Sequence, residues 1–218
     1  MGKTSRWDLP LTLLGAVLLV VLFTTFIAKP FSIPSGSMEN TLRVGDRVLV
    51  NRFVYHLRAI ERGDVIVFDG TDSFVAADSV TRRDPITGLL TSLGQSFGVI
   101  APDGNDFVKR VIGLPGDRVQ CCDVQGRVLV NSHALNEPYI YPGDPASTIA
   151  FNVIVPEGKL WVLGDHRSQS ADSRAHLGDP GGGMVPESKV VGRVMAVVWP
   201  PALWGAVSIP DTYAKVSQ

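Results

Sequence analysis

Cysteine is almost missing from this chain: of 218 residues only Cys121 and Cys122 carry sulfhydryls, and they are adjacent. A disulfide framework is therefore excluded as the source of stability. Neighbouring cysteines close on each other only through a strained ring, so buried thiols and a local disulfide both stay open. Histidine is scarce as well. His56, His133, His166 and His176 are the whole set, and none stands at a metal-ligand spacing or in a dense polar motif, so surface or loop positions are expected and no metal. Neither charge is in excess. Twenty Lys and Arg against 21 Asp and Glu leave a net charge of -1, with no basic cluster, which removes nucleic acid from the expected partners. No internal repeat and no alternation of strand with helix is visible, which sets aside solenoids and parallel α/β folds.

One long apolar run is present. Residues 9–28 read LPLTLLGAVLLVVLFTTFIA, and as a helix they span about 30 Å, the thickness of a bilayer's hydrocarbon core. Pro10 falls in the first turn, where a missing N–H is harmless, and Lys29-Pro30 closes the far end. A cleaved signal sequence would need small residues three and one before the cut. The pairs on offer, Thr24/Phe26, Thr25/Ile27 and Phe26/Ala28, each contain a bulky side chain. A transmembrane anchor at 9–28 is expected, behind a short cytoplasmic tail at 1–8. Lys3 and Arg6 nearly balance Lys29, Arg43 and Arg47 across it. A large domain tolerates translocation despite such charges, so residues 29–218 are placed outside the cytoplasm.

Beyond the anchor, short β-branched segments alternate with turn signals. Strands are expected at 47–53, 64–68, 107–114, 127–130, 151–155, 160–163 and 190–199. Gly45-Asp46, Arg62-Gly63-Asp64, Leu114-Pro115-Gly116-Asp117 and Pro156-Glu157-Gly158 punctuate them. This pattern predicts a mainly β fold, an antiparallel β-sheet domain behind a single N-terminal transmembrane helix. Residues 69–105 are irregular, rich in Asp, Ser, Thr and Gly, and read as an excursion between two core strands with one short helix near Ile86 to Phe97.

Two places carry chemistry. Ser37 lies in the glycine-flanked turn Ser35-Gly36-Ser37-Met38, with apolar Phe31, Ile33, Met38 and Leu42 around it rather than the polar run of a linker. Lys109 lies in Asp106-Phe107-Val108-Lys109-Arg110-Val111-Ile112. Period two puts Phe107 and Val111 on the face of Lys109, and Val108 and Ile112 beside Arg110. An amine buried among such groups loses its proton readily, at a cost on the order of 3–5 kcal/mol, and becomes the base a serine hydroxyl needs. The polar run Gly164 to Arg174 supplies hydroxyls, and Asp172 is close enough in sequence to pair with Arg174.

Four stretches in order resemble type I signal peptidases: Ser35-Gly36-Ser37-Met38, Arg62 to Phe68, Val108 to Asp117, and Gly164-Asp165 through Ser170-Ala171-Asp172-Ser173-Arg174. The resemblance implies Ser37 as nucleophile and Lys109 as general base, with the Ser35 hydroxyl and the Ser37 N–H as oxyanion hole. It implies that Ser170 orients Lys109, and that Asp165 with Arg110 and Asp172 with Arg174 brace the site. Phe31, Ile33, Met38, Leu42, Phe107 and Val108 match positions lining pockets for small side chains one and three residues before the cut. The implied partners are preproteins carrying signal peptides, the lipid bilayer of the plasma membrane and the secretion translocon, with no cofactor. The motif often reading Gly-Asp-Asn-Arg-Asp-Asn-Ser has His166, Ser168 and Gln169 here, and Asn40 replaces a frequent proline. The Gly-Asp-His-Arg-Ser form looks most like actinobacterial members.

Two other functions fit parts of the pattern. A Ser-Lys self-cleaving protein related to phage-type repressors would share the pair, but should carry a helix-turn-helix domain where the apolar span stands. A membrane-anchored binding module would leave Ser37 and Lys109 incidental.

Overall fold

Runs of Val, Ile, Phe and Trp bounded by glycine turns favour extended chain, and each run must find neighbours for its backbone groups. The structure is a computed structural model that describes residues 9–15, 28–71, 73–75, 105–179 and 181–216. In chain order its strands are β1 (Ala28–Ser32), β2 (Arg47–Asn51), β3 (Val65–Asp69), β4 (Asp106–Gly113), β5 (Arg118–Cys121) and β6 (Val128–Val130). Then come β7 (His133–Ala134), β8 (Phe151–Ile154), β9 (Lys159–Leu163), β10 (Val185–Pro186), β11 (Val190–Trp199) and β12 (Gly205–Ala206). They form two antiparallel sheets. The larger runs β1-β2-β11-β3-β4-β9-β10 with β12 beside β11, and the smaller runs β7-β6-β5-β8. The described residues are thus mainly β and antiparallel, as the sequence leads one to expect.

The unexpected strands are short or carry proline. β1 lies at one edge of the large sheet with Pro30 opposite Leu49, and β10 lies at the other with Pro186 opposite Lys159. Proline has no N–H to give a second neighbour, so it is tolerated at an edge and discourages further strand addition there.

β3 is the central apolar strand, buried on both sides. Val65 and Val67 join Phe31, Ile33, Met38, Leu42, Val48, Val50 and Val194 in one core cluster, while Ile66 and Phe68 join Phe74, Val111, Leu160 and Val162 in another. A third cluster fills the space between the small sheet and the large one, with Val119, Val128 and Phe151 against Ile112, Trp161 and Leu163. Gly113 makes that approach possible. A Cβ there would stand 2.5 Å from the Val119 side chain, inside any real contact distance.

The excursion at 69–105 joins two paired strands. β3 and β4 run antiparallel from Val65 opposite Arg110 to Asp69 opposite Asp106, and the Gly70 N–H donates to the Asn105 carbonyl at 2.8 Å. The helix expected near Ile86 to Phe97 lies outside the described residues, as does the tail at 1–8. Of the apolar run, residues 9–15 are helical and the described chain resumes at Ala28, where β1 begins. Among the described residues no helix is long and apolar enough to cross a membrane.

Candidate active site

The nucleophile turn is held by its apolar neighbours. Ser37 sits in a 3-10 turn, Gly36–Met38, directly after β1. The Leu42 N–H donates to the Met38 carbonyl at 2.7 Å, and the Met38 and Leu42 side chains are fully buried in the core beside Phe31 and Ile33. Ser37 itself is buried.

Lys109 reaches this turn from β4. Its Nζ lies 2.7 Å from Ser37 Oγ and 2.9 Å from the Val108 carbonyl oxygen, and the residue is 3% exposed. Burial pushes the amine from its ordinary 10.5 down to about 8, against the opposing pull of the Asp172 and Asp165 charges. That difference corresponds to about 3 kcal/mol held against the ammonium form. Ser35 Oγ stands 3.4 Å from Ser37 Oγ, close enough to face the same substrate oxygen.

The polar loop after β9 wraps the pair with neutralised charge. Arg110 donates from Nε and Nη2 to the two oxygens of Asp165, at 2.9 and 2.6 Å, and from Nη1 to the Gly63 carbonyl. Burial alone would lower the pKa of this guanidinium, but the Asp165 carboxylate holds it above its ordinary value. Arg174 meets Asp172 through Nε and Nη2 at 2.8 and 2.7 Å. Burial would raise Asp172; the Arg174 hydrogen bond and charge and the Gly164 N–H reverse that and hold it below the usual carboxylate range. Gly164 is needed where it is. A Cβ there would lie 2.2 Å from Ser170 Oγ and 2.5 Å from the Ser37 carbonyl oxygen, so only glycine lets the loop touch the nucleophile turn.

The structure gathers most, but not all, of the residues singled out in the sequence. Phe31, Ile33, Met38 and Leu42 pack in one cluster with Val108 against it, whereas Phe107 stacks on Phe68 and meets Phe74 edge-on in a different cluster. Ser170 Oγ is buried against Gly164 and close to the Asp172 carboxylate, and it makes no hydrogen bond to Lys109. Cys121 and Cys122 form a local disulfide at the end of β5.

Several contributors are silent in the sequence. Thr41 bridges Asp165 and Arg110 through its hydroxyl, and the Arg110 guanidinium lies 4.1 Å above the Tyr139 ring. Asp64 of the Arg-Gly-Asp turn is wholly buried between Arg58 and Arg193. Asp117, in the Leu-Pro-Gly-Asp turn, pairs with Arg62 at 2.6 Å. The acidic residues at turn ends were the available signal, but sequence alone does not show which distant arginine each one meets. His56 and His133 are exposed, His176 is half-buried, and His166 is a loop residue, as expected, but one buried beside the Ser37 turn. Among the described residues no group of three or more His, Cys, Asp or Glu is placed to hold a metal ion.

A buried amine against a serine hydroxyl, on an antiparallel β scaffold, has the geometry of a serine hydrolase. Comparison with known proteins narrows that class. Residues 6–199 match the family described as "Signal peptidase, peptidase S26". The chain is 38% identical to the "Probable signal peptidase I" of Mycobacterium leprae, over 94% of this chain and 80% of that one. It is 40% identical to the "Signal peptidase I" of Mycobacterium tuberculosis, over 88% and 72%. With the "Probable signal peptidase I-2" of Synechocystis it shares 36%, over 90% and 75%. The chain therefore belongs to the signal peptidase family, peptidase S26, and is a serine endopeptidase.

Proposed function

We propose that Ser37 and Lys109 form a catalytic dyad which removes signal peptides from exported preproteins at the outer face of the plasma membrane. The observation that carries this is the 2.7 Å separation of Lys109 Nζ from Ser37 Oγ with Lys109 buried. As the free amine, Lys109 takes the Ser37 proton while Oγ bonds to the carbonyl carbon before the cut. The Ser35 hydroxyl and the Ser37 N–H receive the oxyanion. Collapse breaks the peptide C–N bond, and the Lys109 proton leaves with the new amino terminus. Water then attacks the Ser37 ester, giving its proton to Lys109, and Oγ departs to regenerate the serine. Asp165–Arg110 and Asp172–Arg174 keep the surrounding charge neutral, and Ser170 packs at Gly164 where the loop meets the Ser37 turn. Phe31, Ile33, Met38, Leu42 and Val108 shape the pockets for small side chains; Phe107 is left out, because it is engaged with Phe68 and Phe74.

The apolar run anchors the enzyme in this reading, ending before Ala28, which belongs to β1 rather than to the span, with the amino terminus cytoplasmic and the preprotein delivered beside the translocon. Nine residues from Ala28 to Ser37 reach at most about 30 Å, which keeps the site near the membrane where a signal peptide's apolar segment ends. The test is incubation of the detergent-solubilised full chain with a preprotein, followed by sequencing of the new amino terminus. A cut after Ala-x-Ala is expected, with none in Ser37→Ala. Efficient cutting after Phe-x-Phe, or by the Ser37→Ala variant, would overturn the proposal.

A further inference from the structure

Beside the nucleophile turn lies a histidine that the dyad chemistry does not use. His166 is 5% exposed, and its ring lies flat on Tyr141 with centroids 3.9 Å apart. Its main-chain N–H donates to the Ser37 carbonyl at 3.1 Å. Its Nδ1 stands 3.3 Å from Glu39 Oε2, and its Nε2 4.0 Å from Asp144 Oδ2. Nδ1 is buried and completes no hydrogen bond, and the Glu39 carboxylate oxygen at 3.3 Å is the acidic group beside it. Glu39 follows Met38 directly, and its carboxyl group folds back over the turn: a Cβ on Gly36 would lie 3.2 Å from the Glu39 carboxyl carbon.

That carboxylate is awkwardly placed for the chemistry. It neighbours the peptide units of Gly36 and Ser37, where the proposed reaction gathers negative charge. Like charges at close range oppose each other, and with the Glu39 side chain 32% exposed water screens that repulsion only in part. We infer that His166 is a positioning residue: its Nδ1 edge, 3.3 Å from Glu39 Oε2, restrains that carboxylate beside the nucleophile turn, clear of the oxyanion. The inference rests on the Ser-Lys reading above. The stack on Tyr141 fixes the ring plane and so keeps the Nδ1 edge beside the Glu39 carboxylate.

The experiment compares kcat, KM, acylation of Ser37 by a β-lactam-like probe, and Tm for variants of the full chain in detergent. His166→Phe keeps the stack and loses the N–H, and should lower kcat about ten-fold with KM changed less than about two-fold, because only the transition state carries the charge. His166→Asn places an amide N–H near the position of Nδ1 and should stay within about three-fold of the parent. His166→Gln, whose amide reaches the Nε2 position instead, should fall with His166→Phe. Adding Glu39→Gln to either impaired variant removes the charge and should recover kcat to within about three-fold, a coupling that non-contacting sites do not show. A parental kcat in both His166→Phe and His166→Gln, or a loss that Glu39→Gln does not relieve, overturns the inference. Equal losses in His166→Asn and His166→Phe overturn it too, and with a matching fall in Tm they assign His166 a packing role. If the parent protein neither cleaves preprotein nor is acylated, the Ser-Lys reading fails and takes this inference with it. An active parent with indifferent variants sinks the inference alone.

Discussion

Lys109 and Arg110 are neighbours on β4, carry the same formal charge and are equally hidden from water, yet the two faces of the strand treat that charge in opposite ways. On the Arg110 face the loop after β9 supplies a carboxylate with two oxygens at hydrogen-bond distance, and the guanidinium is held charged. On the Lys109 face the amine meets a serine hydroxyl and a carbonyl oxygen, and burial drives it toward the neutral form. Depth alone therefore does not decide ionisation. The partner and the group's own basicity do, and a single strand presents a charged guanidinium and an amine of lowered pKa one residue apart.

The largest break in that contrast is to make both faces alike. Lys109→Arg places a charge that cannot be shed where a base is required, and turnover of a preprotein should fall by about 10⁴ or more. Measurable turnover by this variant would remove Lys109 as base. The opposite manipulation strips Arg110 of its partner. Asp165→Asn leaves a buried guanidinium unmatched, and denaturant unfolding should report a loss of about 3–5 kcal/mol.

A third change removes the disfavoured amine. Lys109 has a folded-state pKa below its unfolded value, so its penalty on stability is complete below about pH 8 and fades as pH rises toward 10.5. Lys109→Met should therefore be inactive and more stable than the parent by up to about 3 kcal/mol at pH 6, with the gain gone by pH 10.5. Chemical denaturation at both pH values checks the sign. An unchanged or lowered stability at pH 6 would mean that the buried amine is not strained.

The smallest effect is the most diagnostic. In the parent, kcat/KM should climb through an apparent pKa of about 8 and be poor in acid, as the amine loses its proton. The limb should survive replacement of His56, His133 and His176. In Arg174→Gln the Asp172 charge loses its counter-ion and bears more fully on Lys109. The limb should then move to higher pH by about one unit. A limb that stays in place would show that Asp172 does not reach the amine.

Much of the framework is legible in the residues themselves, and the gaps have physical causes. The seven expected segments correspond to β2, β3, β4, β6, β8, β9 and β11, because β-branched runs between glycine turns have few alternatives. β1 is masked by Pro30, which counts against a strand until the strand is known to be an edge. At the site, the turn chemistry around Ser37 and the apolar flanks of Lys109 are local signals. The separation of Phe107 from Val108 agrees with period two, but its neighbours Phe68 and Phe74 depend on strand pairing. His166 is hidden for a different reason: it lies in a run of polar residues, and only the fold shows that the run turns inward.

The hairpin of β3 and β4 is fastened at its mouth, with Asp69 opposite Asp106 and the Gly70 N–H on the Asn105 carbonyl. Lys109 is three residues inside that clasp. The register that aims the amine is set by this pairing and by Phe74 packed on Phe68 and Phe107, not by the length of chain beyond them. The excursion is thus a place where such a scaffold can try new surface during descent while its chemistry stays fixed. The same mouth is a natural point for an engineer to graft foreign sequence.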